Sequence, residues 1–218
     1  MPDRGREDDS WWTPNGDGTF SVRSCYDYLS VNSLGSIFSP EREKALKLAW
    51  KALIPFRYKA FAWRILIDRL PSKNLLFVRG ILSSPSDLFC DFCKDSEESI
   101  AHLFFSCVVA RKVWGFILEW LEMDLVLLPL VWENFLLVYE GLRRKKVRKG
   151  TESLVWIAVC WGLWRTRNKV IFGNDSWSVP DLVWSIKVMI WKWSFHGEIM
   201  YGKCNFYDFC KDPLHFLS

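Results

Sequence analysis

Residues 90–107 read CDFCKDSEESIAHLFFSC, and four of them have the spacing C-x2-C-x8-H-x4-C. The close pair Cys90 and Cys93 can share one metal ion from a tight turn, and His102 and Cys107 can come round to the same side. Three sulfurs and one imidazole suit a tetrahedral Zn²⁺ and leave no open position for water. The spacing therefore predicts one structural zinc ion. The alternative is four unrelated residues, since Cys often behaves as a small buried hydrophobe.

The composition of the whole chain limits the remaining possibilities. With 218 residues, 50% of them hydrophobic, the chain can form one larger domain or two small ones. Its start, MPDRGREDDS, shows no secretory signal, and its longest apolar run, Leu154–Trp164, is too short for a bilayer and predicts a buried helix instead. Seven cysteines, an odd number, argue against a fully paired disulfide framework. We therefore expect reduced thiols, no membrane association and an intracellular location, in the nucleus or cytoplasm.

Charge is distributed unevenly along the chain, although the net charge is only +4. Residues 41–80 carry ten Lys/Arg against three Asp/Glu, and residues 143–172 carry nine against one. Residues 81–142, between them, carry ten Asp/Glu against three Lys/Arg. Two basic blocks beside an acidic middle indicate that the flanking blocks bind a polyanion.

Hydrophobic spacing and helix-start signals predict a mainly α fold. Ser39-Pro40-Glu41 begins the first of these helices, and Pro55 ends it. The further helices are expected at Phe56–Asp68, Lys73–Val78, Glu98–Phe105, Val108–Leu121, 131–142, 151–172 and 179–195.

The two ends of the chain carry weaker signals. Residues 9–22 predict a small N-terminal β-hairpin around Pro-Asn-Gly-Asp-Gly, followed by a short helix capped by Ser24. Val31–Phe38 is typical of a linker, and the last 20 residues show turn signals with little periodicity. The expected fold is helical, with a β-hairpin and a CCHC zinc-knuckle-like insertion. The expected domains are 1–38, 39–122 and 123–218.

Several separated motifs occur in one order around the metal motif. They are WKALIPFRYKAFAWR at 50–64, RLPSKNLL at 69–76, CDFC at 90–93, ESIAHLFFSC at 98–107 and VW at 113–114. GTFSVRSCYDYL at 18–29 precedes them and WGLWRTRNKVIF at 161–172 follows. This series closely resembles the zinc-binding domain of plant LINE-type (non-LTR) retrotransposon reverse transcriptases. The resemblance covers about residues 9–173.

The resemblance implies a module that follows a polymerase domain and often precedes an RNase H domain. Carried over by position, its metal ligands are Cys90, Cys93, His102 and Cys107. Neither the Tyr/Phe-Ala-Asp-Asp signature of a polymerase nor a spaced carboxylate set for RNase H is visible in the sequence. We therefore expect a non-catalytic module that binds RNA or DNA with low sequence preference. The alternative is a protein-interaction scaffold with a purely structural zinc and no nucleic-acid binding.

The candidate nucleic-acid contacts are the cations of one short basic run: Arg143, Arg144, Lys145, Lys146, Arg148 and Lys149. Such a run attracts phosphates by counterion release, and the alternative is a solvated linker or an import-like patch. A second basic group is Arg57, Lys59, Arg64, Arg69, Lys73 and Arg79. Acidic residues around the metal motif argue against contact by the metal loop itself, whose phenylalanines we expect to pack around the zinc. The helical tryptophans after residue 150 favour core packing over base stacking.

Overall fold

The computed structural model describes residues 11–32, 38–173, 176–195 and 205–218. The chain divides into two compact units, Met1–Ser39 and Pro40–Ser218. The expected linker, Val31–Phe38, lies largely outside the described residues, as do Asp9 and Ser10 of the expected hairpin.

In the first unit, the described residues form a turn and a helix, and none of them is in a strand. The predicted turn is present: the Trp12 amide donates to the Gly18 carbonyl at 2.9 Å, and Gly18 has φ +73°. The predicted β-hairpin is wrong for these residues. Side chains bind the backbone locally instead, since Asn15 donates to the Thr19 carbonyl and the Asp17 carboxylate accepts from the Thr19 amide.

Helix α1 spans Val22–Asn32, so it begins before the predicted cap at Ser24. The Ser21 hydroxyl accepts the Ser24 amide at 3.0 Å, which is the bond expected of an N-cap three residues upstream. Ser24 instead accepts a hydrogen bond from the Trp12 indole, at 2.9 Å, which holds the turn against this helix.

The described part of the second unit consists of helices and the loops and turns that join them. Its main helices are α2 (Pro40–Trp50), α3 (Phe56–Leu66), α4 (Lys73–Val78), α5 (Val108–Trp120), α6 (Val131–Arg144), α7 (Glu152–Phe172) and α8 (Val179–Ser194). These agree with the predicted helices to within about two residues at most ends. A 3₁₀ turn at Pro85–Leu88 precedes the metal motif, and a π-helical turn at His102–Ser106 lies within it. Among the described residues, the strand-like pairing is an isolated antiparallel bridge between Phe89 and Glu97.

Helix α7 is the centre of the second unit. Residues 151–160 are all buried, so the apolar run from Leu154 forms a buried helix as predicted. It packs against α8, α6, α3 and α5. Aromatic contacts join it to α3 and to the metal motif: the Trp161 and Phe61 ring centroids are 5.0 Å apart, and those of Trp156 and Phe105 are 6.1 Å apart.

Residues on both sides of position 122 therefore share one core. The expected domain boundary at that position stays a prediction. Within the described residues, no helix is both long and apolar enough to cross a membrane.

The C-terminal residues form helices that the sequence did not predict. Residues 206–217 form two short helices, α9 (Phe206–Lys211) and α10 (Pro213–Leu217), capped by the side chains of Asn205 and Asp212. Phe209 and Leu217 are buried against the core. Periodicity could not predict helices this short, because each offers only one or two buried residues.

Gly162 lets α7 and α8 approach closely. A Cβ at this position would lie 2.6 Å from Ile186 Cγ1 and 3.3 Å from Leu182 Cδ1. We expect Gly162→Leu to force the helices apart and to lower the free energy of unfolding by about 1–3 kcal/mol, the usual cost of overpacking. Chemical denaturation measures this, with the exposed Gly115→Ala in α5 as control. Equal stability of Gly162→Leu and the wild type would contradict the close packing.

Candidate metal centre

The first two ligands lie on a tight turn between short elements. The Cys90 amide donates to the Ser96 carbonyl, and the Lys94 amide returns to the Cys90 carbonyl, both at 2.8 Å. Lys94 adopts φ +57°, a left-handed conformation that tight turns require. This backbone wraps around the two thiols and directs both toward the centre of the turn, as a zinc knuckle does.

The other two ligands lie at either end of the π-helical turn. Positions five apart on an α-helix point about 140° away from each other, since it has 3.6 residues per turn. In the π turn, the Cys107 amide bonds to the His102 carbonyl at 2.9 Å, five residues back. This wider turn brings His102 and Cys107 to the same side. The sequence predicted an ordinary helix here and missed the π turn.

The four ligand atoms lie close enough together to surround a single metal ion. All of them lie within 4.8 Å of one another. Cys90 Sγ is 4.0 Å from Cys107 Sγ, and Cys93 Sγ is 3.3 Å from His102 Nε2. A tetrahedron with Zn–S of about 2.3 Å and Zn–N of about 2.05 Å has edges of about 3.5–3.8 Å. The donor set therefore suits one zinc ion, and with four protein ligands the site is a structural one.

Local interactions shift the pKa of three of the four ligands, and two of these shifts favour the form that binds a metal. Cys107 is the N-cap residue of α5, and its thiol pKa is lowered by a hydrogen bond from Cys90 and by the Val109 and Ala110 amides. The same sulfur–sulfur contact, together with burial, raises the pKa of Cys90. Burial lowers the pKa of His102, which favours the neutral imidazole that a metal needs. Ser106 Oγ lies 3.5 Å from His102 Nδ1, where it can accept the proton that orients Nε2 toward the metal.

Lys73 holds the knuckle against α4. Its ammonium lies 2.7 Å from Asp91 and donates to the Phe89 carbonyl at 2.8 Å. Burial tends to raise the pKa of Asp91, but Lys73 and Lys94 outweigh this effect and lower it. The sequence placed Lys73 in the second basic group. In the structure, its ammonium instead binds Asp91 and the Phe89 carbonyl beside the metal ligands.

A buried ion pair joins the metal segment to α7. Arg167 binds Glu98 through two hydrogen bonds, of 2.5 and 3.1 Å, and the exposed fractions of the two residues are 4% and 0%. Glu98 also accepts the Lys73 amide at 3.1 Å, at the start of α4. Arg167 belongs to the segment WGLWRTRNKVIF, for which the sequence predicted a helix but no buried ion pair. The pattern of apolar and charged residues did not indicate that Arg167 and Glu98, 69 positions apart, would pair.

These ion pairs reduce the negative charge around the metal site. Glu98 and Asp91 are neutralised by the pairs above, whereas Asp87, Asp95 and Glu97 remain exposed. Phe104 and Phe105 are buried, as expected for packing around the site. The ring centroids of Phe92 and Trp177 are 5.0 Å apart. Phe89 is largely exposed.

The basic run Arg143–Lys149 lies between α6 and α7, far along the chain from the metal. Five of its cations are exposed: Arg143, Arg144, Lys145, Lys146 and Lys149. Arg148 instead turns inward, where its guanidinium donates to the Ser194 carbonyl. Arg143 pairs with Glu140 at 3.1 Å, and Lys145 lies 3.8 Å from Glu122.

The structure brings the two basic blocks of the sequence together. The Leu53 amide, in the turn between α2 and α3, donates to the Gly150 carbonyl at 3.2 Å. Lys51 and Lys149 line the same open cleft, of about 360 Å³, and both are exposed. Nothing in the sequence showed that these blocks, about a hundred residues apart, would meet.

The tryptophans follow the core-packing prediction, apart from one. Trp156 is fully buried, and Trp161, Trp164, Trp191 and Trp193 pack against the core. Trp184 is the exception, with more than half of its surface exposed.

Residues 20–114 match the protein family described as zinc-binding in reverse transcriptase. The match includes all four residues of the metal cluster, so this part of the chain is similar to the zinc-binding domain of reverse transcriptases. The resemblance predicted from the motifs is confirmed.

Over a longer stretch, which includes part of this region, the chain is similar to a putative ribonuclease H protein of Arabidopsis thaliana. The two are 25% identical over 177 residues, which is 79% of this chain but 26% of the relative. The chain thus spans about a quarter of that protein's length. No solved structure matches the chain significantly.

Proposed function

We propose that this chain is a non-catalytic, zinc-stabilised helical module, derived from a LINE-type reverse transcriptase, that binds RNA or DNA with low sequence preference. The observation that carries the proposal is the shared cleft, in which cations from both basic blocks face solution. Phosphate contacts of this kind supply affinity without reading bases, which is why we expect little sequence preference.

The nucleic-acid surface that we propose consists of the cleft and the exposed part of the basic run. Lys51 and Lys149 form its centre. Arg143, Arg144, Lys145 and Lys146 extend it along the end of α6. Arg148 belongs to the same stretch of sequence, but its role in this proposal is to anchor the run to the end of α8 through Ser194.

The zinc ion has a structural role in this proposal. It ties the knuckle to α5, and the exposed carboxylates of Asp87, Asp95 and Glu97 repel phosphates from the metal loop. The matched family is defined by zinc binding, which supports a non-catalytic role for this region. We propose an intracellular location, in the nucleus or cytoplasm, because thiolate ligands require a reducing compartment.

Salt dependence tests the proposed surface. We expect the purified chain to bind a labelled RNA with an affinity that falls steeply as the salt concentration rises. Lys51→Gln/Lys149→Gln removes two phosphate contacts, so the slope of log K against log salt is expected to decrease by roughly 1.4 for a single strand. Fluorescence anisotropy over a series of salt concentrations measures both quantities.

The matched control is Arg111→Gln/Lys112→Gln, which removes the same charge from exposed positions of α5. The described residues of α5 do not line the cleft. We expect this control to keep the wild-type slope. An equal decrease of the slope in both double variants would mean that net charge alone accounts for the effect. That result would contradict a specific role of the cleft in binding.

The second candidate function is a protein-interaction scaffold. It is favoured by an apolar patch that joins α5 and α8, where Phe116, Val183 and Trp184 line a shared surface recess and two of the three are largely exposed. Negligible nucleic-acid affinity even at low salt would favour this function over the first.

A further inference from the structure

Three large apolar side chains are exposed at the turn between α2 and α3. Trp50, Leu53 and Phe56 have exposed fractions of 38%, 58% and 73%. The Trp50 and Phe56 rings lie 5.7 Å apart, with their planes inclined by 42°. We refer to these three residues as the aromatic edge. Core packing explains the tryptophans of α7, but it does not explain an edge whose rings are exposed to solvent.

The backbone beneath the aromatic edge is held in place. Ala49, Ala52 and Ile54 alternate with the exposed residues and are buried in the core. The Leu53 amide bonds to the Gly150 carbonyl, and a Cβ at Gly150 would lie 2.7 Å from Leu53 Cγ. The backbone that carries the edge is therefore held in place before a ligand binds, which lowers the cost of ordering it.

Cations surround the aromatic edge. Lys51 lies within the turn itself and lines the cleft together with Leu53 and Lys149. Arg57, directly after Phe56, is exposed and donates to the Tyr58 hydroxyl at 2.6 Å. Glu152 is the acidic residue that lines the cleft, but it is buried and accepts the Gly150 amide at 2.6 Å. The charge around the rings therefore complements a polyanion.

Rings beside cations match the chemistry of an unpaired nucleotide. A base in a single strand offers a π face for stacking and a phosphate for a lysine, whereas a base within a duplex has both faces covered by its neighbours. Phosphate binding alone would need no exposed rings, and an apolar protein partner would gain nothing from the surrounding cations.

We propose that the aromatic edge stacks an unpaired base of single-stranded RNA or DNA, with the adjacent phosphates on Lys51 and Lys149. This inference rests on the proposed nucleic-acid binding and deepens it: it assigns the preferred form of the ligand and the residues that select it. Phe56, the most exposed of the three, is expected to carry most of the stacking.

The test compares a 12-nucleotide RNA of mixed sequence with a blunt RNA duplex of the same sequence, by fluorescence anisotropy on the full chain. We expect the wild type to bind the single strand more tightly. Phe56→Ala should weaken single-strand binding roughly 5- to 150-fold, the range for loss of one stacked base, and leave duplex binding within about twofold. Phe56→Tyr should retain single-strand affinity because it keeps the ring, whereas Phe56→Leu should lose it.

Phe116→Ala is the matched control, since it removes an exposed phenyl ring in α5. It should bind both ligands as the wild type does. Equal affinity of the wild type for both RNAs, or an unchanged single-strand affinity of Phe56→Ala, would overturn the inference and leave the salt-dependent binding in place. Absence of salt-dependent binding to either RNA would overturn the proposed function as well. The substitution site is exposed, so thermal melting of each variant should match the wild type.

Discussion

Cys107→Ser is expected to abolish stoichiometric zinc binding and to destabilise the fold by more than about 4 kcal/mol, the range that accompanies loss of a structural metal. Cys107 is fully buried and lies at the junction of the π turn and α5. Losing its thiolate leaves three ligands and opens a position to water in a site that is otherwise closed. Metal analysis of freshly purified protein and thermal melting measure the two effects.

Cys160→Ala is the control for Cys107→Ser. Cys160 is also fully buried, but it lies within α7 and is not part of the metal cluster. We expect this variant to keep one equivalent of zinc and to lose only about 1 kcal/mol. One equivalent of zinc and an unchanged melting temperature in Cys107→Ser would contradict the assignment of the site.

Arg167→Met is expected to lower the free energy of unfolding by about 3–5 kcal/mol, because it leaves the Glu98 carboxylate buried without its partner. The expected effect is large because both groups are almost completely buried, and solvent does not screen the pair. Chemical denaturation with zinc bound measures it.

Two further variants distinguish the loss of the Arg167–Glu98 ion pair from a general effect of removing a positive charge from α7. Arg165→Met removes an exposed cation from the same helix and should change stability by less than about 0.5 kcal/mol. Adding Glu98→Gln to Arg167→Met removes the buried charge and should recover part of the loss. Equal stability of Arg167→Met and Arg165→Met would contradict a stabilising role for the buried pair.

Most helices of the second unit were predictable because their ends carry local signals. Pro40 and Pro55 mark the start of α2 and of α3 through backbone geometry that does not depend on the rest of the fold. The buried character of α7 followed from its unbroken apolar run. The N-terminal turn was predictable from its glycines. The strands predicted on either side of it are absent from the described residues, and a local pattern could not decide this, because strand pairing needs a partner that no local pattern specifies.

The candidate functional surfaces were predictable only in part. The six-cation run was visible in the sequence, yet Arg148 and Lys73 have structural roles that depend on distant partners. The aromatic edge lies within the motif WKALIPFRYKAFAWR, for which the sequence predicted the end of one helix and the start of the next but no exposed rings. Its exposure depends on the position of α2 and α3 against Gly150, which is a property of the tertiary structure.

The sequence by itself determined the identity of the four metal-site residues, because the chemistry of thiols and imidazole at these spacings has few other uses. It also determined the helical class, through proline positions and apolar periodicity. Only the tertiary structure decided that a π turn aligns His102 with Cys107, that Glu98 meets Arg167, and that two distant basic blocks share one cleft. The ion pair and the cleft join residues far apart in the chain, and their free energy is gained only when the core brings those residues together. The π turn is local, but apolar spacing does not distinguish it from an α-helix.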